Sequence, residues 1–333
     1  MNIDIRSPLD MHLHLREGEM LARIAPLSSM SFAGGVIMPN LKEPVDTLEK
    51  VHGYRKAIEE QCNPDEFTPY MTAFFRCYSA AELQALRSAI IGIKLYPAGI
   101  TTQSEAGVSD FSGIEETISV MEELQIPLLV HGESNGFVMD REKEFLKIYE
   151  RLAKNFPKLH IIMEHITTAD AVEFMDKYPN ISATVTLHHL FITLDDVIGG
   201  LMEPDLFCKP IAKTPRDLGA LQDAVLSGHP RVMFGSDSAP HPRQKKECCG
   251  CAAGIFSAPV ALPMLADFFV KRGKPELLQG FVSDIACRRY RLTPVNRTIR
   301  LSQQSWRIPE LYNGVKPFGA GCEIGWKLAT EKN

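Results

Sequence analysis

The sequence predicts an α/β protein that folds as a (β/α)8 barrel of the TIM type. Short apolar runs with the length of strands alternate with segments that carry helix-capping signals. Eight such runs occur before residue 240, and most are separated by a predicted helix. Several of them end in polar residues that can bind metal. Parallel strands joined by helical crossovers explain this order, and eight strands favour a barrel over the alternative, a doubly wound open sheet.

The first half of the chain supplies four of these strands. They are predicted at residues 10–16, 35–40, 67–75 and 90–96. Helices are predicted between them at residues 20–30, 46–61 and 79–88. The last of these helices begins with a capping box, Ser79-x-x-Glu82, in which each side chain bonds the backbone of the other residue. A loop rich in Gly, Thr and Ser follows at residues 97–110.

The second half continues the alternation and then changes character. Strands are predicted at residues 126–131, 159–165, 181–187 and 231–237, and helices at 112–124, 141–156, 168–178 and 215–227. A second capping box, Ser112-x-x-Glu115, is expected to begin the first of these helices. Two helical stretches, 258–272 and 275–288, precede a tail at 302–327 that is typical of a strand or loop cap. We therefore predict one domain, 1–333, with a barrel core at about 8–253 and an extension at about 254–333.

Composition excludes several classes of partner. Lys+Arg number 36 against Asp+Glu 41, for a net charge of -5, so no basic surface indicates nucleic-acid binding. No apolar run approaches the roughly 20 residues that a membrane helix needs. The N-terminus shows no signal segment, and eight cysteines in 333 residues are no disulfide scaffold. We expect a cytoplasmic protein without a membrane partner.

The predicted strand at residues 10–16 contains two histidines. Because side chains alternate along a strand, His12 and His14 lie on one face, and Arg16 continues that face. Two neighbouring imidazoles can share a divalent cation. The alternative is a half-buried strand with two hydrogen-bonded core histidines, and this stretch alone leaves both interpretations open.

Metal-competent side chains also occur at the ends of other predicted strands. A barrel gathers the C-terminal ends of its strands on one face, where active sites lie. The residues concerned are His12, His14, Lys94, His131, His165 and Asp237. Lys94 lies within an apolar run, where an unpaired ammonium is costly. A neutral amine there can add CO2 and become a carbamate, whereas the alternative is a lysine that extends to solvent or to an acid.

An ordered set of six motifs resembles the dihydroorotases of the amidohydrolase superfamily, in particular their shorter stand-alone bacterial class. The motifs are Asp-Met-His-Leu-His-Leu-Arg (10–16), Met-Pro-Asn (38–40), Ile-Lys-Leu-Tyr-Pro (93–97), His-Gly-Glu (131–133), Glu-His (164–165) and Gly-Ser-Asp-Ser-Ala-Pro-His (235–241). The histidine pair alone is shared by many amidohydrolases, but the ordered set is specific. The resemblance extends from residue 10 to about 254.

The resemblance implies a centre of two Zn2+ ions per subunit. His12, His14 and Asp237 resemble the ligands of one ion, and His131 and His165 those of the other. Lys94 resembles a carboxylated lysine that bridges both. The implied reaction interconverts L-dihydroorotate and N-carbamoyl-L-aspartate in pyrimidine biosynthesis. A hydroxide shared by the metals attacks the ring carbonyl, and Asp237 serves as general base and then general acid.

The resemblance also implies a set of substrate contacts. Arg16, Asn40 and His241 resemble a clamp for the substrate carboxylate, since arginine offers a planar fork that matches it. Main-chain groups at Lys209 and Ala253 resemble contacts to the ring amides. Thr101 and Thr102 resemble the tip of a mobile loop that closes over the substrate. The metal ligands His14 and His131 are also expected to contact the substrate. The implied assembly is a homodimer.

Several alternatives stay open at this point. Another cyclic-amide hydrolase (a hydantoinase, dihydropyrimidinase or allantoinase) would share the metal ligands but leave Arg16 without a partner. A non-catalytic homologue could serve as a structural partner of another enzyme. Cys248-x-x-Cys251, with Cys249 between, could suggest a structural zinc or redox site, although no second pair completes it. His188 and His189 end another predicted strand, where we expect packing or hydrogen bonding.

Overall fold

The computed structural model describes residues 1–329 and contains a barrel of parallel strands. After a first strand, β1 (Asn2–Arg6), eight strands form one sheet in chain order: β2 (Leu9–Leu13), β3 (Gly34–Ile37), β4 (Thr68–Phe74), β5 (Gly92–Leu95), β6 (Leu128–Val130), β7 (Ile161–Met163), β8 (Ile181–Val185) and β9 (Val232–Phe234). The first and last of these meet beyond β9, where the Asp237 N–H donates to the His12 carbonyl at 2.9 Å. The prediction of a (β/α)8 barrel is confirmed.

Helices connect the strands at nearly every step. They are α1 (Gly18–Ser31), α2 (Leu48–Glu59), α3 (Ala80–Leu86), α4 (Glu115–Leu124), α5 (Arg141–Asn155), α6 (Ala169–Met175), α7 (Leu194–Ile198), α8 (Pro215–Leu226), α9 (Arg243–Lys246), α10 (Ala261–Lys271) and α11 (Ile285–Tyr290). The Ser79–Glu82 capping box is present at the start of α3. The second predicted box is wrong, because the Ser112 hydroxyl donates to Asp110 instead, at 2.7 Å, and Ile114 stands at the N-cap of α4.

A cluster of buried apolar side chains fills the barrel interior. Its members show which residues of each strand point inward. Its members include Leu9, Val36, Leu129 and Met233, all with no more than 1% of their surface exposed. Lys94 is the register partner of Leu129 across the β5–β6 pair, so its side chain points into the same interior. Residues of α11 join this cluster, so that helix packs against the barrel's interior apolar cluster.

The C-terminal part departs from the predicted pair of helices. The stretch predicted as helix 275–288 is divided into a 3-10 turn (Pro275–Leu277), a π-helical turn (Gly280–Asp284) and α11. Strands β10 (Thr298–Arg307) and β11 (Glu323–Leu328) then pair antiparallel, and β10 also pairs with β1. This sheet ties the two ends of the chain together. Residues 330–333, the end of the predicted extension, lie outside the described residues. Within residues 1–329, no helix is both long enough and apolar enough to cross a membrane.

Candidate metal centre and active site

Six side chains converge at the C-terminal end of the barrel, and we call them the mouth cluster. His12 lies in β2 and Lys94 in β5, while the others lie just beyond the ends of their strands. The six residues are His12, His14, Lys94, His131, His165 and Asp237, each with no more than 8% of its surface exposed. The residues that the sequence singled out as metal ligands are therefore brought to one buried place.

The first half of the mouth cluster is centred on the carboxylate of Asp237. Its Oδ1 atom lies 3.0 Å from His14 Nε2 and 3.5 Å from His12 Nε2. One donor atom from each of these three residues lies within 4.8 Å of the other two. Asp237 holds a left-handed backbone conformation with φ of 45°, which is strained for a residue with a Cβ atom. These three side chains are arranged so that they could hold one metal ion.

The second half of the mouth cluster is a pair of imidazoles. His131 Nδ1 and His165 Nε2 lie 3.1 Å apart, and the other ring nitrogen of His131 lies 2.7 Å from the Glu133 carboxylate. If His131 donates its Nε2–H to Glu133, its Nδ1 atom is unprotonated. Nδ1 then has a lone pair that can bind a metal, and it faces His165. Nδ1 of His165 has no hydrogen-bond partner among residues 1–329. These two nitrogens lie close enough together to bind a second cation in place of the hydrogen bond between them.

Lys94 lies in the barrel interior, where its charge acts on residues of both halves of the cluster. Its Nζ atom is fully buried and finds no hydrogen-bond partner in the described part of the chain. Burial lowers the pKa of Lys94 to about 8, although the charges of Glu164 and Asp237 act in the opposite direction. A bare ammonium here is costly, whereas a carbamate would carry two oxygens that can bind metal. The orphaned amine therefore fits a bridging role better than a structural one.

The protonation of the cluster suits metal binding. Burial lowers the pKa values of His12, His14 and His165, and the charge of Lys94 adds to this effect on all three. Neutral imidazoles offer the lone pairs that a divalent ion needs. Burial raises the pKa of Asp237, while His12 and His131 act to lower it. An acid poised in this way is suited to accept and return a proton.

Three carboxylates that the sequence did not assign hold the cluster in place. Glu164 Oε2 lies 2.6 Å from His12 Nδ1 and accepts a bond from the Thr184 hydroxyl at 2.7 Å. Glu133 orients His131 in the same manner. Asp10 accepts the Ser236 N–H at 2.8 Å and so fixes the chain just before Asp237. All three lie inside the motifs quoted above, one or two residues from a predicted ligand, and that proximity was the available signal.

The predicted substrate contacts other than His241 line the same small cavity. It is bounded by His12, His14, Arg16, Asn40, Tyr96, Thr101, Thr102, His131, His165, Lys209, Asp237, Ala239, Ala253 and Gly254. Asn40 donates to the Thr102 carbonyl at 3.0 Å, so the loop 97–110 lies over the mouth. The structure is thus a closed one.

Two of the predicted contact residues differ in detail from expectation. Lys209 was expected to contribute its main chain, yet its Nζ atom donates to the Ile100 carbonyl at 2.6 Å and holds the covering loop. His241 stands behind the cavity wall, where its Nε2 atom lies 3.1 Å from Arg16 and 3.0 Å from the Ala253 carbonyl. His241 is therefore placed to orient Arg16. The roles of all these residues stay predictions.

The cysteines of the Cys248-x-x-Cys251 segment lie apart from the predicted metal ligands. In residues 1–329 they are outside every group of side chains whose donor atoms could share an ion. Cys248 and Cys251 instead lie near the carbonyls of Lys245 and Pro204.

Comparison with known proteins agrees with this geometry. The profile of the amidohydrolase family matches residues 8–278. The dihydroorotase of Helicobacter hepaticus is 42% identical, over 99% of this chain and 98% of the relative. The crystal structure of the Campylobacter jejuni dihydroorotase superposes with a TM-score of 0.94 at 50% identity, covering 99% of this chain and 98% of that one. Dihydroorotase of Saccharomyces cerevisiae, in complex with 5-fluoroorotic acid, gives 0.93 at 34% identity and 98% coverage of each chain.

The chain therefore belongs to the amidohydrolase family. Within that family, the chain is similar over nearly its full length to dihydroorotases at 41–50% identity, which confirms the resemblance drawn from the six motifs.

Proposed function

We propose that this protein catalyses the reversible ring opening of L-dihydroorotate to N-carbamoyl-L-aspartate, a step of pyrimidine biosynthesis. The observation that carries the proposal is the convergence of Arg16 and five residues of the mouth cluster on one cavity, with the sixth, Lys94, buried in the barrel interior. The mouth cluster suits hydrolysis of an amide, and Arg16 suits a substrate with a carboxylate. The ligand named for the yeast relative, 5-fluoroorotic acid, is a pyrimidine ring that bears a carboxylate.

We propose further that the mouth cluster holds two Zn2+ ions. His12, His14 and Asp237 would hold one, His131 and His165 the other, and Lys94, carboxylated by CO2, would bridge them. When bound, the two ions would lower the pKa of a shared water and polarise the ring carbonyl. In this carboxylation the neutral amine of Lys94 adds to CO2, forms a carbamate and releases one proton.

The side chains of the cavity divide the remaining work. Asp237 takes the proton from the attacking water and returns it to the ring nitrogen as the amide bond breaks. Arg16 pairs with the substrate carboxylate, and His241 orients Arg16. Asn40 completes the clamp and also bonds the Thr102 carbonyl of the covering loop. The loop 97–110 is held by two bonds, one from Lys209 to its Ile100 carbonyl and one from its Thr102 hydroxyl to the Ala253 carbonyl. In this position the loop excludes water from the reacting atoms. Main-chain groups near Ala253 face the ring.

The wider setting belongs to the same proposal. We place the protein in the cytoplasm, because all eight cysteines are free thiols within the described residues, which suits a reducing compartment. We propose one functional unit, with a barrel core at about 8–253 and the extension from 254, and a homodimer as the assembly. Sedimentation analysis would test the dimer, and a monomer at micromolar concentration would contradict it.

The decisive experiment is turnover and metal content measured on one preparation. We expect hydrolysis of dihydroorotate to exceed hydrolysis of hydantoin and dihydrouracil by at least tenfold, with about two zinc ions per chain. Equal or faster turnover of hydantoin would favour the other cyclic-amide hydrolases. Full metal occupancy without turnover of any of the three compounds would favour a non-catalytic homologue.

A further inference from the structure

A second group of donor atoms lies beside the mouth cluster, and no part of the reaction above uses it. His188 and His189 form a 3-10 turn just beyond β8, and Cys208 lies on the connection that leads to α8. We call these three residues the side cluster. Each is at most 2% exposed, and one donor atom from each lies within 4.8 Å of the other two.

The spacing of the side cluster matches a tetrahedral ion. Cys208 Sγ lies 3.6 Å from His189 Nε2. Zinc bonds of about 2.3 Å to sulfur and about 2.0 Å to nitrogen, at a tetrahedral angle, separate the two ligand atoms by about 3.5 Å. The carbonyl oxygen of Pro210 lies 3.1 Å from the same nitrogen and 3.3 Å from the sulfur and accepts hydrogen bonds from these groups, so it is near enough to replace those bonds with a bond to a metal ion.

The hydrogen bonding of His188 supplies an independent observation. Both of its ring nitrogens are buried, and neither has a hydrogen-bond partner in the part of the chain that the structure describes. A buried polar atom without a partner is rare in native proteins and calls for a specific cause, such as a bound ion. His189 differs, because its Nδ1 atom lies 2.9 Å from the Thr186 hydroxyl. The Nε2 atom faces the Pro210 carbonyl, which can only accept, so in this structure Nε2 carries the ring proton. Metal binding requires the other tautomer, in which Nδ1–H donates to the Thr186 hydroxyl and Nε2 is unprotonated.

The protonation states are compatible with binding. Burial lowers the pKa of His189 to about 4, with a further contribution from Lys213, so its imidazole is neutral at pH 7. Burial holds the pKa of His188 well below its usual range, and His189 and Lys246 act in the same direction. Burial raises the pKa of the Cys208 thiol to about 12, opposed by Lys246 and Lys213. The thiol must therefore release its proton to solvent as the metal–sulfur bond forms.

We propose that the side cluster is a structural site for one divalent ion of the zinc class. The imidazoles of His188 and His189, the thiolate of Cys208 and the carbonyl of Pro210 complete a closed tetrahedral shell. The ion fastens the end of β8 to the connection that carries Lys209, and Lys209 holds the covering loop. This inference does not depend on the proposed substrate.

Cobalt distinguishes the side cluster from the mouth cluster, because the six residues of the mouth cluster include no cysteine. Protein produced in cobalt-supplemented minimal medium should show a near-ultraviolet thiolate-to-cobalt charge-transfer band. Cys208→Ser should abolish this band and lower the metal content by about one ion per chain. His188→Gln, which keeps the thiol, should weaken the band and lower cobalt retention against a chelator by at least tenfold.

The matched control is the double variant Cys248→Ser/Cys251→Ser, which should retain the band in full. Circular dichroism and thermal unfolding of each variant verify that the barrel is intact. If Cys208→Ser fails to fold, His188→Gln alone decides the question. A wild-type protein without the band, or a band that survives Cys208→Ser, would overturn the proposal. So would a band lost only in the double variant, and so would cobalt retention unchanged by His188→Gln.

Discussion

The carboxylate of Glu164 offers a quantitative test of how the mouth cluster is held. Its Oε2 atom accepts hydrogen bonds from His12 Nδ1, at 2.6 Å, and from the Thr184 hydroxyl. Its Oε1 atom has no hydrogen-bond partner within residues 1–329. In Glu164→Gln the amide oxygen can replace Oε2, so the amide NH2 then occupies the position of Oε1 as a buried donor without an acceptor. We expect a loss of about 1–3 kcal/mol in the free energy of unfolding.

The same substitution should weaken metal binding. A carboxylate that orients a metal-binding histidine typically contributes 10- to 100-fold in metal affinity, or about 1.4–2.7 kcal/mol. The assay is zinc retention in a chelator competition, followed beside urea unfolding. Glu150→Gln is the control, because Glu150 is a half-buried residue away from the mouth cluster that pairs with Lys154 at 2.7 Å. Zinc retention in Glu164→Gln within twofold of wild type would refute this account of His12.

Four further substitutions test other parts of the structure. Asp237→Asn should lower kcat by about 10²- to 10⁴-fold, and a near-normal rate would remove its role in proton transfer. Arg16→Gln should raise KM for dihydroorotate by at least tenfold while zinc content holds; lost zinc with unchanged KM would contradict the clamp. Lys94→Ala should lower metal content, with partial recovery in added acetate, and full occupancy without acetate would exclude a bridge. The pKa of His160 is held at about 3 by burial and by Arg289, so only the unfolded chain takes up its proton below about pH 6.5. Wild type should therefore lose about 1–2 kcal/mol of stability between pH 6.5 and 5 through this group, after allowance for its partial exposure. Urea titrations of His160→Gln should show a smaller loss over that interval, and an identical loss would refute the assignment.

The parts of the site that depend on strand alternation were predictable from sequence. His12 and His14 are two residues apart on or beside β2, and the ends of parallel strands necessarily meet on one face. Lys94 was recognisable because a charge within a buried run needs a specific reason. The Ser79 capping box was correct because both partners lie within one turn.

The parts that depend on contacts distant in sequence were not predictable. Glu164 reaches His12 across 152 residues, and Lys209 reaches Ile100 across 109. The Ser112 box failed because a nearer acceptor, Asp110, competes for the same hydroxyl. Nothing in the helical pattern of 275–288 signalled the π-helical turn at Gly280–Asp284.

The seam between β2 and the end of β9 has a consequence for biosynthesis on the ribosome. Ser236 bonds to Asp10 across 226 residues, and the Ser238 carbonyl accepts the His14 N–H at 3.2 Å. A nascent chain that ends before this seam carries its first two imidazoles without the carboxylate that faces them. The proposed metal centre therefore cannot be completed before the last barrel strand is synthesised, and an interrupted polypeptide would lack one of its ligands.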